Sequence, residues 1–353
     1  MRSIQADVME VHNAHGAIDE AWLALRQEEP IDPHIPVVDA HFHIWDRPGN
    51  RYLQDELRRD LESSGHQVQA SVFMECGSMY RNHGPRELKP VGETEFATGV
   101  SAMFASGKYG TTRVAAGIVG FADMFLGDKV QPVLEAHIAA AGGRFRGIRN
   151  VGAWDADTSF VRSITFYQPP EKMLLDETFQ RGIAQLAPLK LSFETYLFHT
   201  QLSDLYALAS KFSQTTFILN HFGGPIKIGP FLGRDEEVFA LWHKNIRLLG
   251  ALPNVYMKFG GLTTKTSGLH FTDLPVPPSS EDLARPWQRH FDATVAAFGV
   301  NRCMFESNFP VEKPSCSSRV SWNALKRLAS GFSEDEKRRL CAGTAREAYR
   351  LTY

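Results

Sequence analysis

Eight short apolar or β-branched runs punctuate this chain, and most are separated by longer segments of helical period. The runs are IPVVDAHFH (35–43), QASVFMEC (69–76), RVAAGIVGF (113–121), RFRGIRNV (144–151), LKLSFETYL (189–197), TTFILNH (215–221), NVYMKFGG (254–261) and RCMFESN (302–308). The intervening segments include ETEFATGVSAMFAS (93–106), KVQPVLEAHIAAA (129–141), LSDLYALASKF (202–212), EEVFALWHKNIRLL (236–249) and EDLARPWQRHFDATVAAF (281–298), each apolar at steps of three and four. Parallel strands need a crossover between them, and a helix is its usual form, so this order reads as repeated βα units. Eight such units close a (β/α)8 barrel, and 353 residues hold that barrel with additions.

The additions fall at the ends and in two loops. Residues 1–34 read as a polar N-terminal arm with one amphipathic piece, AIDEAWLALRQ, closed off by PIDPHIP; residues 35–353 read as the barrel domain. The tail, RVSWNALKRLASGFSEDEKRRLCAGTAREAYRL, reads as two helices, the second opening on the capping box Ser333 to Glu336. Long irregular stretches, CGSMYRNHGPRELKPVG and LTTKTSGLHFTDLPVPPSS, follow the second and seventh strands. Both leave strand C-termini, the face on which barrel active-site loops sit.

Composition narrows the partners. A net charge of −2 offers no basic excess to neutralise a phosphate backbone or dock on an anionic leaflet, so neither nucleic acid nor membrane is expected. Four widely spaced cysteines form no CxxC pair, which fits free thiols in a reducing, cytoplasmic setting. Neither a signal peptide nor an apolar run of about 18 residues is visible. The expected partner is a small molecule, and the arm suits a homodimer.

On a strand, side chains two apart point the same way, about 6.8 Å apart along the backbone. Asp39, His41 and His43 therefore share one face of the first strand, and Val38, Ala40 and Phe42 share the other, turned toward the helices. This aims both imidazoles into the barrel near its C-terminal mouth, where their tips converge on one ion or substrate atom. His221 ends the sixth strand at the corresponding edge, before glycines that let the backbone turn. On the eighth strand Glu306 and Asn308 are two apart, and an inward carboxylate needs a cation, a proton or a donor beside it. Arg146 and Arg149 suit recognition of a carboxylate, although only one of them can face inward. Glu75, Tyr196 and Lys258 are further inward candidates, Glu194 reads as a structural ion pair, and His199 ranks below His221.

Together VVDAHFHIWD, FILNHFGGP and RCMFESNFPVEK resemble the amidohydrolase superfamily, in its amidohydrolase-2 branch of TIM-barrel hydrolases, from about residue 35 to the C-terminus. That branch includes lactonases of sugar acids and pyrone dicarboxylates and, more distantly, metal-dependent decarboxylases. The resemblance implies that His41, His43 and His221 bind metal or substrate. Where the family usually carries GSDWP, with its Asp as general base, this chain reads ESNFP, which puts Asn308 at the Asp position. An amide has no useful basicity near neutral pH, so Glu306 is expected to replace the base.

The expected reaction is hydrolysis of a small carboxylated lactone or related cyclic ester or amide. Water, positioned by the imidazoles directly or through Zn2+, attacks the carbonyl, with His221, Glu306 and Asn308 at the catalytic centre. Two rival readings stay open at this stage: a non-oxidative decarboxylase of an aromatic or unsaturated acid, and a catalytically silent barrel that only binds.

Overall fold

The computed structural model describes residues 16–165 and 168–352, so residues 1–15 of the expected arm lie outside the described residues. Eight parallel strands form one sheet: β1 (Val37–Phe42), β2 (Val68–Met74), β3 (Arg113–Gly120), β4 (Phe145–Arg149), β5 (Ser192–Thr195), β6 (Phe217–Leu219), β7 (Val255–Phe259) and β8 (Cys303–Phe305). Each pairs with the next in chain order. A helix follows every strand, the first being Gln54–Ser64 and the last Ser318–Leu328. The sheet is therefore a nearly closed (β/α)8 barrel. Among the described residues, no helix is long and apolar enough to cross a membrane.

The seam between β1 and β8 closes beyond the end of β8. Asn308 donates its backbone N–H to the His41 carbonyl (2.9 Å), and His43 donates to the Phe309 carbonyl (2.7 Å). Asp39 reinforces the seam by accepting from the Ser307 backbone (2.8 Å) and hydroxyl (2.6 Å). Segments carrying expected site residues thus complete the barrel wall.

Two apolar layers sandwich the sheet. Val37, Phe42, Phe73, Ile148, Phe217, Phe259 and Phe305 pack outward in the large cluster shared with the helices. Val38, Ala40, Val72, Val119, Ile218 and Met304 form a second cluster with Ala342, Ala345 and Tyr349 of the tail. Strands as far apart in sheet order as β3 and β6 meet only inside the barrel, so this second cluster is the barrel interior, plugged by the C-terminal segment. The strict alternation expected of β1 is corrected here. The β1–β2 register slips between Asp39 and Phe42, the signature of an extra residue in one strand, so Val38 and Ala40 turn inward while Phe42 turns outward.

The tail keeps the capping box at Ser333 and Glu336 but is broken into Glu334–Arg338, a π-turn at Arg339–Gly343 and Thr344–Ala348. Pro286 likewise divides the expected 281–298 helix into Ser280–Ala284 and Gln288–Phe298. All four cysteines are unpaired. An antiparallel pair, Trp45–Arg47 with Asn50–Tyr52, was not anticipated, although Pro48-Gly49 is its turn signal. Within the arm, Glu20–Leu23 is helical, Trp22 Nε1 donates to the Leu274 carbonyl, and the Ile31 amide donates to Asn323.

Candidate active site

At the C-terminal mouth lies a cavity of about 580 Å³, whose lining includes His43, His221, Asn308, Arg149, Tyr196 and Arg47. Behind it sit His41 and Glu306, both fully buried. His221 Nδ1 lies 2.6 Å from Glu306 Oε1, and His41 Nδ1 lies 2.8 Å from Oε2. The second contact is an ion-pair approach too oblique for a formed hydrogen bond. Burial disfavours the charged carboxylate, yet the His221 and His41 rings set against its two oxygens prevail and hold Glu306 well below the ordinary range. Burial in turn keeps the His41 ring neutral, its pKa well below the usual histidine value.

Local backbone geometry makes this packing possible. Gly260 follows β7, and a Cβ there would meet Glu306 Cγ at 2.2 Å and the Glu306 carbonyl at 2.7 Å. His221 and Asn308 adopt φ of 51° and 53°, the left-handed region that costs a non-glycine residue on the order of 1 kcal/mol. Such conformations persist where surrounding contacts over-determine them, and here they turn both side chains toward the cavity.

Hydrogen bonds fix the tautomers. His43 Nδ1 is 2.9 Å from the Met74 carbonyl, which only accepts, so Nδ1 carries the proton and a neutral ring leaves its lone pair on Nε2. By the same reasoning the carboxylate holds the proton of His41 on Nδ1. The two Nε2 atoms are 3.1 Å apart, so their lone pairs face each other and call for a shared proton or a cation. His41, His221 and Glu306 also bring one ligand atom each within 4.8 Å of one another. Carboxylate-backed imidazoles are a common ligand arrangement for a divalent metal, and the donor set fits one.

Asn308 donates Nδ2 to Glu312 Oε1 (3.0 Å), while Glu312 Oε2 accepts from the backbone (2.6 Å) and hydroxyl (2.7 Å) of Thr263. Arg149 reaches Glu75 Oε1 (3.1 Å) and Asn220 Oδ1 (2.9 Å). Trp45 stacks on His43 with ring centroids 5.5 Å apart, and the Arg47 guanidinium lies 3.8 Å from the Trp45 ring centre.

Several expected placements change. Arg146 does not line the cavity; its guanidinium donates to the Gly143 (2.8 Å) and Phe145 (2.9 Å) carbonyls at the opposite end of β4. Lys258 is buried against Glu194 (2.7 Å) inside the barrel, where a ligand in the cavity does not meet it. Glu306 does not line the cavity either, because two imidazoles occupy its oxygens, and it reaches a water only through them. His199 is buried against Phe231, outside the cavity lining. Glu75 and Tyr196 do line it. Missed by the sequence reading were Arg47, just past the first motif, and Glu312, inside the quoted third one; only proximity to those motifs pointed to them.

A barrel with a histidine cluster and a buried carboxylate at its C-terminal mouth defines a class. The chain belongs to the amidohydrolase family (Amidohydro_2), whose profile matches residues 38–351. Among particular relatives, L-fucono-1,5-lactonase of Burkholderia multivorans is 30% identical over 328 residues, 89% of this chain and 96% of that protein. The uncharacterized protein y4mH of Sinorhizobium fredii is 30% identical over 330 residues, 90% and 99% of the two chains. A crystal structure of an amidohydrolase from Burkholderia multivorans with bound zinc matches with a TM-score of 0.66 at 25% identity, covering 90% of this chain and 99% of that one.

Proposed function

We propose that this protein hydrolyses a small carboxylated lactone or related cyclic ester by attack of water at the carbonyl. The observation that carries the reading is the His221–Glu306 pair, 2.6 Å apart at the cavity wall, in a chain 30% identical to a lactonase. With Nδ1 committed to Glu306, the ring presents Nε2 as a base. His221 takes the proton of the attacking water on Nε2 and returns it to the ring oxygen as the C–O bond breaks, giving the hydroxy acid. Glu306 stabilises the transient imidazolium and holds the ring's tautomer, the part a buried carboxylate plays behind a catalytic histidine. Arg149, fixed by Glu75 and Asn220, turns its remaining donors to the substrate's acidic end.

His41 and His43 would hold a divalent ion, which we assign as Zn2+ on the strength of the zinc-bound relative. When bound, Zn2+ supplies Lewis acidity, polarising the carbonyl and lowering the pKa of water. An amide at 308, where the family usually has a carboxylate, leaves a neutral ligand set and hence a weaker hold on the ion.

A panel of sugar-acid and aromatic-acid lactones, followed by pH-stat and mass spectrometry with and without added zinc, tests the proposal. The expected product gains one water and releases one proton equivalent without CO2. Release of CO2 from a carboxylic acid substrate, or ligand binding with no turnover across the panel, overturns it.

A further inference from the structure

Below the cavity floor runs a buried polar chain that takes no part in the proton transfers of the proposed reaction. Tyr349, on the C-terminal segment that plugs the barrel, donates its hydroxyl to Glu194 Oε1 (2.5 Å). Lys258 Nζ donates to Glu194 Oε2 (2.7 Å), and Asn220 Nδ2 donates to that same oxygen (3.1 Å). Asn220 Oδ1 then accepts from Arg149 Nε (2.9 Å). Tyr349, Glu194, Lys258 and Asn220 are all fully buried, so solvent does not compete for these bonds.

The end groups each have one role only. An ionised carboxylate accepts and does not donate; a guanidinium donates and does not accept. An amide between them has a single satisfied orientation, NH2 toward Glu194 and oxygen toward Arg149. That oxygen and Glu75 Oε1 engage Nε and Nη1 of the guanidinium, which leaves Nη2 for a ligand.

We infer that Asn220 is a positioning residue: it sets the Arg149 guanidinium for carboxylate recognition, and its own amide is oriented from the barrel floor by Glu194, Lys258 and Tyr349. The inference rests on the reading of Arg149 as the group that meets the substrate's acidic end. It concerns binding, so it is tested apart from turnover.

Calorimetric binding of succinate to the full chain is compared among wild type, Asn220→Leu, Arg149→Lys and the double variant, with thermal melts as a fold control. Each single substitution is expected to weaken succinate binding about tenfold, the scale of one charge-assisted hydrogen bond. The double variant is expected to lose little more, because both changes abolish the same contact. Tyr349→Phe, which keeps the ring in its buried site, is expected to weaken binding about threefold, and it carries the test alone should Asn220→Leu not fold. Wild-type affinity in Asn220→Leu, or additive losses in the double variant, overturns the inference; with Tyr349→Phe as the sole probe, unchanged affinity does so. A chain that binds succinate in this pattern but hydrolyses no lactone instead sinks the proposed reaction and leaves the positioning role standing.

Discussion

At the scale of single residues, the centre turns on which atoms carry protons. Glu306 faces two imidazoles at once, one oxygen accepting from His221 Nδ1 and the other 2.8 Å from His41 Nδ1, which only a carboxylate with two acceptor oxygens does. Glu306→Gln keeps the shape but offers one oxygen and one NH2. One imidazole must then accept at Nδ1 and move its proton to Nε2, which removes a lone pair from the site. With the best lactone of the panel, kcat is expected to fall at least about a hundredfold, the lower end for loss of a positioned base. KM and the melting temperature should change little, because the cavity wall itself is untouched. Steady-state kinetics with a matched thermal melt checks this, and near-native kcat would show that Glu306 is only a structural ion-pair partner.

At the scale of elements, the site stands on strand ends, and the strand ends rely on glycine. A methyl group at position 260 has no room against Glu306, so Gly260→Ala is expected to destabilise by about 1–3 kcal/mol, the usual range for overpacking. It should also lower kcat, because relief comes from displacing the carboxylate; circular-dichroism melts and kinetics report the two effects separately. Unchanged kcat with a lowered melting temperature would mean that the strain relaxes away from Glu306. The glycine pair after MKF was visible in the sequence, but its purpose was not, since close approach between β7 and β8 is a tertiary fact. The same division runs through the fold. Eight runs and their order were legible because apolar periodicity survives burial. Strand ends were read too long: TTFILNH pairs only over Phe217–Leu219, because His221 leaves the ladder in a left-handed turn. That His41 and His43 would come together was foreseeable from spacing, whereas the register slip that turns Val38 and Ala40 inward was not. Spacing gave one inward arginine in strand 4 without saying which, and the ion pair to Glu75 picks out Arg149.

Across the whole molecule, burying so many ionisable groups gives stability a definite pH dependence. Burial holds His66, His137 and His199 down at about 4 and His290 at about 3, so in the folded state these four stay neutral through neutral pH. His137 shows how a neutral ring is satisfied there: Nε2 donates to the Phe121 carbonyl at 3.0 Å, and Nδ1 meets at 2.8 Å the Thr94 hydroxyl, which can donate to it. An unfolded chain protonates these histidines near about 6.5, so on acidification it takes up protons that the folded chain refuses, and stability falls. Buried carboxyls act in the opposite sense, Glu93 and Asp39 most strongly, while burial raises Asp60, Glu75, Asp123 and Glu312 less. Burial pushes Glu93 up to about 8 and Asp39 up to about 6, so the folded state holds their protons where the unfolded state has lost them. Their stabilisation is present at low pH and disappears as pH rises through those values. Below about pH 6.5 the four histidines outweigh Glu93 and Asp39, and between about pH 7 and 8 Glu93 acts alone among these six groups, so the melting temperature should peak near neutrality. It is expected to fall steadily from about pH 6.5 to 5 and more gently from about pH 7 to 8, where the folded chain gives up the Glu93 proton. Scanning calorimetry across that range gives the profile, and His137→Gln, which removes one refused proton, should flatten the acid limb. A melting temperature that holds level or climbs toward pH 5 would mean that these rings accept protons in place, contrary to their burial.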